Sequence, residues 1–233
     1  THTIECQPSD QFDLDNIQFN ADPDWLSQWM DMDQSANDRL NEAIKKTEVL
    51  TDGHVFHSLS NHLNDDWNVM LSNSFIPRDM AMFGKSRSNQ FVNRGAAGID
   101  GIISTAIGIA ISTKVQTCCI AGDLAFLHDS NSIISLKKIQ HPVIIAIINN
   151  GGGNIFKMLP VSENDEYFKD YFITPQNVDI QKLAEAHAIP FKRVHSKDEL
   201  MSFEANSING CQMIEYVTDS EESMRLRRKL WEI

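Results

Sequence analysis

The chain is 233 residues long, 42% hydrophobic and 22% charged, with a formal net charge of −12 at pH 7. That is enough apolar material for one large domain, or one domain with a flanking arm, to bury a core. The acidic balance excludes a nucleic-acid footprint, and the longest apolar run, Val143 to Ile148, is far too short for a membrane span.

Residues 1–20 are acidic, without a clear period, and read as a linker or arm. From Asp22 to about Thr47 the residues Trp25, Leu26, Trp29, Met30, Leu40, Ala43 and Ile44 recur at spacings of three and four, which predicts a helix. Asp22 is expected to cap it, with Pro23 at its first position. His54 to Leu63 reads as a second helix. Asn68 to Leu71 reads as a short buried strand followed by the loop Ser72-Asn73-Ser74, and Gln90 to Val92 as another leading into Arg94-Gly95. Ile99 to Ser112 is small and apolar and is expected as a buried helix. Val115 to Ile120 is a strand ending at Gly122-Asp123. Asn131 to Gln140 is a helix, and Val143 to Ile148 a strand ending at Asn149-Asn150. Gly151 to Asn177, rich in Gly, Pro, Asn and aromatics, is a long irregular segment of the kind that is usually functional or mobile. Ile180 to Ala188 is a helix and Gln212 to Thr218 the last strand. The basic run Arg225, Arg227, Arg228 and Lys229 is expected on a solvated helix face.

Strands and helices alternate, and the strands are continuous apolar runs. This pattern predicts an α/β fold, a parallel sheet with helices on both faces, preceded by a helical arm. In such sheets ligands bind beyond the carboxyl ends of the strands. Here those ends carry Asn73, Arg94, Asp123 and Asn150. Cys118 and Cys119 are adjacent in a strand and point to opposite faces, so they are poor partners for one metal. With Cys6 and Cys211 they form no CxxC pair and read as reduced packing residues of a reducing compartment. The polar, acidic start shows no leader, and residue 1 is Thr, which is what a piece of a longer chain would show.

One spacing carries chemistry. Gly122-Asp123 is followed, after the 25 residues Leu124 to Ile148, by Asn149-Asn150-Gly151-Gly152-Gly153. A magnesium ion bound to a diphosphate needs hard oxygen ligands. A carboxylate and a carboxamide at two strand ends, joined by one crossover, supply them, and the glycines let the backbone come close. Nearby helix N-termini offer N–H groups to phosphate oxygens.

This GD-to-NN arrangement resembles the thiamine-diphosphate enzymes. Within them, Asn93 to Gly101 (NRGAAGIDG), Gly122 to Asp129 (GDLAFLHD), Asn149 to Phe156 (NNGGGNIF), Leu159-Pro160 and the segment Ser72 to Arg78 are similar to the 2-succinyl-5-enolpyruvyl-6-hydroxy-3-cyclohexene-1-carboxylate (SEPHCHC) synthases, the MenD family. Leu124 stands where most thiamine enzymes have Gly, a departure those synthases share. The resemblance implies that Asp123, the Asn150 side chain and the Gly152 carbonyl hold Mg2+ or Mn2+, and that Gly122, Leu124, Ile155, Phe156 and Leu159 line the thiamine diphosphate pocket. Ile99 would prop the bent cofactor. Ser74, Arg78 and Arg94 would bind substrate, the planar guanidinium matching a carboxylate. His128, just past the metal motif, is expected to play a supporting role.

The implied activity is that of a transferase of menaquinone or phylloquinone biosynthesis. It decarboxylates 2-oxoglutarate at the cofactor and adds the succinyl-semialdehyde unit to isochorismate. On this reading residues 1–50 are the exit arm of a missing central domain and residues 51–233 the cofactor-binding domain. The glutamate that activates the cofactor would come from an N-terminal domain, usually a neighbouring subunit's, in a homodimer or homotetramer of the bacterial cytoplasm or the plastid stroma. The chain alone should then show little or no turnover. Two other readings stay open: an acetolactate-synthase-like thiamine enzyme, and a non-catalytic subunit that keeps the fold.

Overall fold

The computed structural model describes residues 22–201 and 208–231. The expectation for residues 1–20, and Cys6, lie outside the described residues. The chain divides into two units, Thr1–Asn41 and Glu42–Ile233. Helix α1 (Trp25–Lys46) starts in the first unit. Its entry is held by Asp22, whose carboxylate accepts from the Asp24 N–H at 2.9 Å and whose carbonyl accepts from Trp25 at 3.1 Å. The helix begins at Trp25, so Asp24 holds the cap position; Asp22 shapes the turn two residues earlier, and Pro23 sits in that turn and not at the first helical position.

The second unit is built on a six-stranded sheet, among the described residues, with every neighbouring pair parallel. In chain order its elements begin with α2 (Asp52–His62), β1 (Asn68–Leu71), α3 (Ile76–Phe83), β2 (Gln90–Val92), α4 (Ile102–Thr113), β3 (Thr117–Gly122) and α5 (Asp123–His128). They continue with β4 (Val143–Asn149), α6 (Asp165–Phe168), α7 (Ile180–Ala186), β5 (Phe191–Val194), α8 (Lys197–Met201), β6 (Cys211–Val217) and α9 (Ser220–Trp231). The strand order is β2-β1-β3-β4-β6-β5. The chain runs outward from β1 to β2 and then returns to the other side of β1 with β3. A crevice opens where the order reverses, beyond the carboxyl ends of those strands.

The strands are apolar along their whole length because both faces are covered. Met70, Cys119, Ala121, Val143, Ile145, Ile147 and Met213 form one cluster with Ile102, Ile103, Ala106 and Ala110 of α4, Phe126 of α5 and Ala184 of α7. The alternate residues Val69, Cys118, Ile120, Ile144 and Ala146 are just as buried and belong to the opposite layer. Cys118 and Cys119 are free, as expected. Burial pushes the Cys118 thiol up to about 12 and that of Cys119 well up too. Among the described residues no helix is long and apolar enough to cross a membrane.

Several elements differ from the sequence reading. The segment expected as a helix from Asn131 is a 3-10 helix, Ser130–Lys138, and the unexpected α5 begins directly at Asp123. The irregular stretch after Gly151 contains two 3-10 turns, α6 and a π-helical turn, Lys169–Ile173. Helices α3 and α8 and strand β5 carried no recognised pattern, and α9 was expected only from its basic run.

The basic run on α9 needs a correction. Arg225 and Lys229 are exposed, but Arg227 is only 1% exposed. Its guanidinium meets the carboxylates of Asp52, at 2.5 Å, and Asp79, and lies over the Phe75 ring at 3.9 Å. Burial opposes its charge, but the hydrogen bonds and charges of Asp79 and Asp52 outweigh that and hold it protonated. Asp79 responds differently, because one guanidinium serves two carboxylates. Burial pushes its carboxyl up to about 6, the Arg227 hydrogen bond pulls it down, and the charge of Asp52 pushes it up further.

Removing the cation should therefore be severe. Arg227→Ala leaves two buried carboxylates without their counter-ion and is expected to cost about 3–5 kcal/mol in urea unfolding. A loss within experimental error would contradict the role given to the pair. A second outcome follows from Asp79. A carboxyl raised in the folded state contributes its full stability below the unfolded value of 3.8 and loses it as pH rises through about 6. The wild-type unfolding free energy minus that of Asp79→Asn should fall between pH 4.5 and 7.5, by about 2 kcal/mol. A pH-independent difference would show that Asp79 is paired too well to be raised.

Candidate functional site

The ends of β1, β3 and β4 open into a cavity of about 480 Å³. Gly122, the last residue of β3, pairs with Ile148 of β4. Asp123 and Asn150 therefore leave adjacent parallel strands one and two residues beyond the same rung, and both line the cavity together with Gly152. Asp123 is the first residue of α5 and its carboxylate accepts from the Leu124 N–H at 2.8 Å. Burial raises this carboxyl to about 6. The N–H groups of Leu124 and Gly152 pull it down, the charge of Asp52 pushes it up, and the Gly151 N–H again pulls it down.

The two asparagines do different work. Asn149, the last residue of β4, donates to Glu215 at 2.7 Å, and Glu215 in turn pairs with Arg193 at 2.6 Å. Asn150, one residue on, donates to Asp52 at 3.0 Å, and its side-chain oxygen accepts from Asn154 at 2.9 Å. Gly151 and Gly152 have φ of +82° and +121°, the left-handed region that favours glycine. A Cβ on Gly152 would run into the Ile173 carbonyl oxygen, which also accepts from the Gly153 N–H at 2.8 Å. The glycine run is thus seated against the π-helical turn, and this brings Tyr171, Phe172 and Thr174 to the cavity wall. Phe172 meets Phe156 edge-on at 5.5 Å and stacks on Phe168 at 5.9 Å.

On the β1 side Ser74 has φ +69°, unusual for a residue with a side chain. Its carbonyl accepts from the Arg78 guanidinium at 2.6 Å. Arg94 donates to the side-chain oxygen of Asn73 at 3.0 Å. The amide of that same Asn73 donates to the carbonyls of Asn93, at 3.1 Å, and Gly98, at 2.5 Å. Asn73, only 3% exposed, therefore fixes both Arg94 and the turn that carries it.

Eleven of the twelve residues expected in the site line this cavity: Ser74, Arg78, Arg94, Ile99, Gly122, Asp123, Leu124, Asn150, Gly152, Ile155 and Phe156. Leu159 does not. It is about half exposed. His128 ends α5, is exposed and does not line the cavity. Sequence reasoning gave no role to Asp52, Tyr171 and Phe172, and placed Asn73 at the ligand edge without a role. Asn73 was visible as a polar strand end, whereas Asp52 lies 98 residues from the side chain it holds and carries no local signal.

Among the described residues no cluster of three His, Cys, Asp or Glu side chains could hold a metal. The oxygens that the cavity lining offers are of another kind: the carboxylates of Asp123 and Asp52, the Asn150 carboxamide and the Gly152 carbonyl, which also accepts from the Asn154 N–H at 2.8 Å. Such hard, weakly charged oxygens suit a small divalent cation that also carries phosphate. The glycine run, which no side chain could replace, gives the backbone room beside it.

Curated proteins called 2-succinyl-5-enolpyruvyl-6-hydroxy-3-cyclohexene-1-carboxylate synthase are similar to the chain. The one from Synechococcus sp. (strain JA-3-3Ab) is 34% identical over 211 residues, covering 89% of this chain and 35% of that protein. The one from Rippkaea orientalis is 31% identical over 219 residues, 92% of this chain and 37% of that protein. The one from Haloquadratum walsbyi is 37% identical over 188 residues, 77% of this chain and 30% of that protein. The chain thus spans about a third of the length of these relatives. The family model for the thiamine pyrophosphate (thiamine diphosphate) enzyme C-terminal TPP-binding domain matches residues 78–214, more than half of the chain, from the helix of Arg78 through Asp123 and Asn150 to β6, and the chain belongs to that family.

Proposed function

We propose that this chain is the cofactor-holding portion of a SEPHCHC synthase, a transferase that joins a decarboxylated 2-oxoglutarate to isochorismate. The observation that carries this reading is one cavity that combines the Asp123, Asn150 and Gly152 oxygens with the guanidinium-bearing Arg78 and Arg94. The oxygens suit magnesium or manganese, and through it a diphosphate. The guanidinium groups suit the carboxylates that both substrates carry. Bound thiamine diphosphate would supply the electron sink that decarboxylation needs.

The chain's own residues would bind, orient and exclude water. Asp123 and Asn150 would hold the cation with the Gly152 carbonyl. Ile99, Ile155 and Phe156 would form apolar walls, Ile99 under the cofactor, and keep water from the reacting carbon. Ser74 and Arg78, joined through the Ser74 carbonyl, and Arg94, fixed by Asn73, would orient carboxylates. A group that protonates the cofactor's ring is expected from another domain, usually a second copy's, so a homodimer or homotetramer belongs to this reading. So does the division at about residue 50 into an exit arm and a cofactor domain.

Calorimetry of thiamine diphosphate with Mg2+ should give binding heat for the natural full-length protein and none for Asp123→Ala. Equal heats would remove the cation site. With 2-oxoglutarate and isochorismate as substrates, Arg94→Ala should lower kcat/KM by about 10–100-fold, the cost of one lost charge-assisted contact. Turnover of pyruvate in place of 2-oxoglutarate, with isochorismate ignored, would instead favour an acetolactate-synthase-like enzyme.

A further inference from the structure

We infer that Asp52 is a positioning residue that fixes the Asn150 carboxamide with its oxygen turned to the cation. The inference rests on the cation site proposed above and adds to it a group that no sequence motif marks. A carboxamide has an oxygen acceptor and an NH2 donor of nearly the same shape, and only the oxygen can ligate a metal. Asn150 leads into the glycine turn Gly151-Gly152, whose φ angles are positive, and its Oδ1 accepts from Asn154, whose own side-chain amide could present either its oxygen or its NH2, so a neighbour that can only accept is needed to select the orientation.

Asp52 makes the selection. Its carboxylate is 1% exposed and lies 3.0 Å from Asn150 Nδ2. A carboxylate paired with a guanidinium only accepts hydrogen bonds, so it can face the NH2 of Asn150 and not the oxygen. Asp52 is itself held on three sides. Thr218 Oγ1 donates to its Oδ1 at 2.5 Å, Arg227 pairs with its Oδ2 at 2.5 Å, and its own N–H donates to Ser223 Oγ at 3.0 Å. It also occupies the first turn of α2, capped by Thr51 and His54 in a capping box, where the helix dipole favours a negative charge. Three elements distant in sequence, α2, the end of β6 and α9, therefore converge to hold one acceptor against one amide. With Nδ2 held there, Oδ1 faces the opposite way, toward Asn154 in the cavity lining.

Groups that orient metal ligands in this way are worth about 10–100-fold in metal affinity. The test titrates Mg2+ into the natural full-length protein at fixed thiamine diphosphate and reads binding by calorimetry. Asp52→Asn keeps the side chain's size but can present either a donor or an acceptor to Asn150, so it should raise the half-saturating Mg2+ by about 10–100-fold. Thr218→Val loosens Asp52 without removing it and should act in the same direction by several-fold, and it decides the matter if Asp52→Asn does not fold. Asn150→Asp alone sets two carboxylates face to face. Combined with Asp52→Asn it restores an amide–carboxylate pair with the hydrogen bond reversed, and the double variant should bind Mg2+ more tightly than Asn150→Asp alone, a rescue that a merely structural Asp52 would not give. If Asp123→Ala abolishes binding while Asp52→Asn, or Thr218→Val where that is the folded variant, stays within twofold of wild type, the inference is overturned and the cation site stands. If Asp123→Ala leaves binding intact, the cation site fails and the inference with it.

Discussion

Arg227 supplies the positive charge that two buried carboxylates share, and both sides of the cavity lean on that sharing. Asp52 lies between it and Asn150, the residue that leaves β4 for the cavity. Asp79 lies one residue after Arg78, on the helix that follows β1, and Phe75 of the same segment stacks under the guanidinium. A buried ion pair is a poor source of net stability, because removing charges from water costs about as much as their attraction returns. What such a pair supplies is geometry. With one cation and two anions fixed in an apolar layer, α2, α3 and α9 can pack in only one register that leaves no charge unpaired.

The parallel sheet sets the other half of the arrangement. Because all strands run the same way, every strand end on one edge points to the same side. The reversal of order between β1 and β3 leaves a crevice there. Polar residues placed at the ends of β1, β3 and β4 then meet without any need for proximity in sequence. The adjacent asparagines follow the same logic. Asn149 is spent on Glu215 inside the fold, and Asn150 reaches the cavity.

How much of this was legible in the sequence depended on whether the signal was local. The apolar strands β1, β3, β4 and β6 could be read because a strand covered on both faces has to be continuously hydrophobic. So could the glycine run and Asp123, whose chemistry is carried by spacing. Strand β5 was invisible: four residues, Phe-Lys-Arg-Val, at the sheet edge, with Arg193 turned to Glu215. Helix α5 is too short, at six residues, to show a period. In α9 the charges at 225, 227, 228 and 229 look alike, and only the fold reveals that Asp52 and Asp79 wait for one of them. Asp52 itself could not be found by any motif, because its partner is chosen by tertiary packing. Leu159 is the converse case: a family pattern named it, but it is not among the residues that line the cavity.

The paired thiols at the centre of the sheet have a chemical consequence. Cys118 and Cys119 are fully enclosed and held protonated by their apolar surroundings. Oxidants and electrophiles attack the thiolate, which these residues can form only when β3 meets water. The folded chain therefore shelters its own sulfur, and oxidative damage at this strand falls on molecules that have already opened.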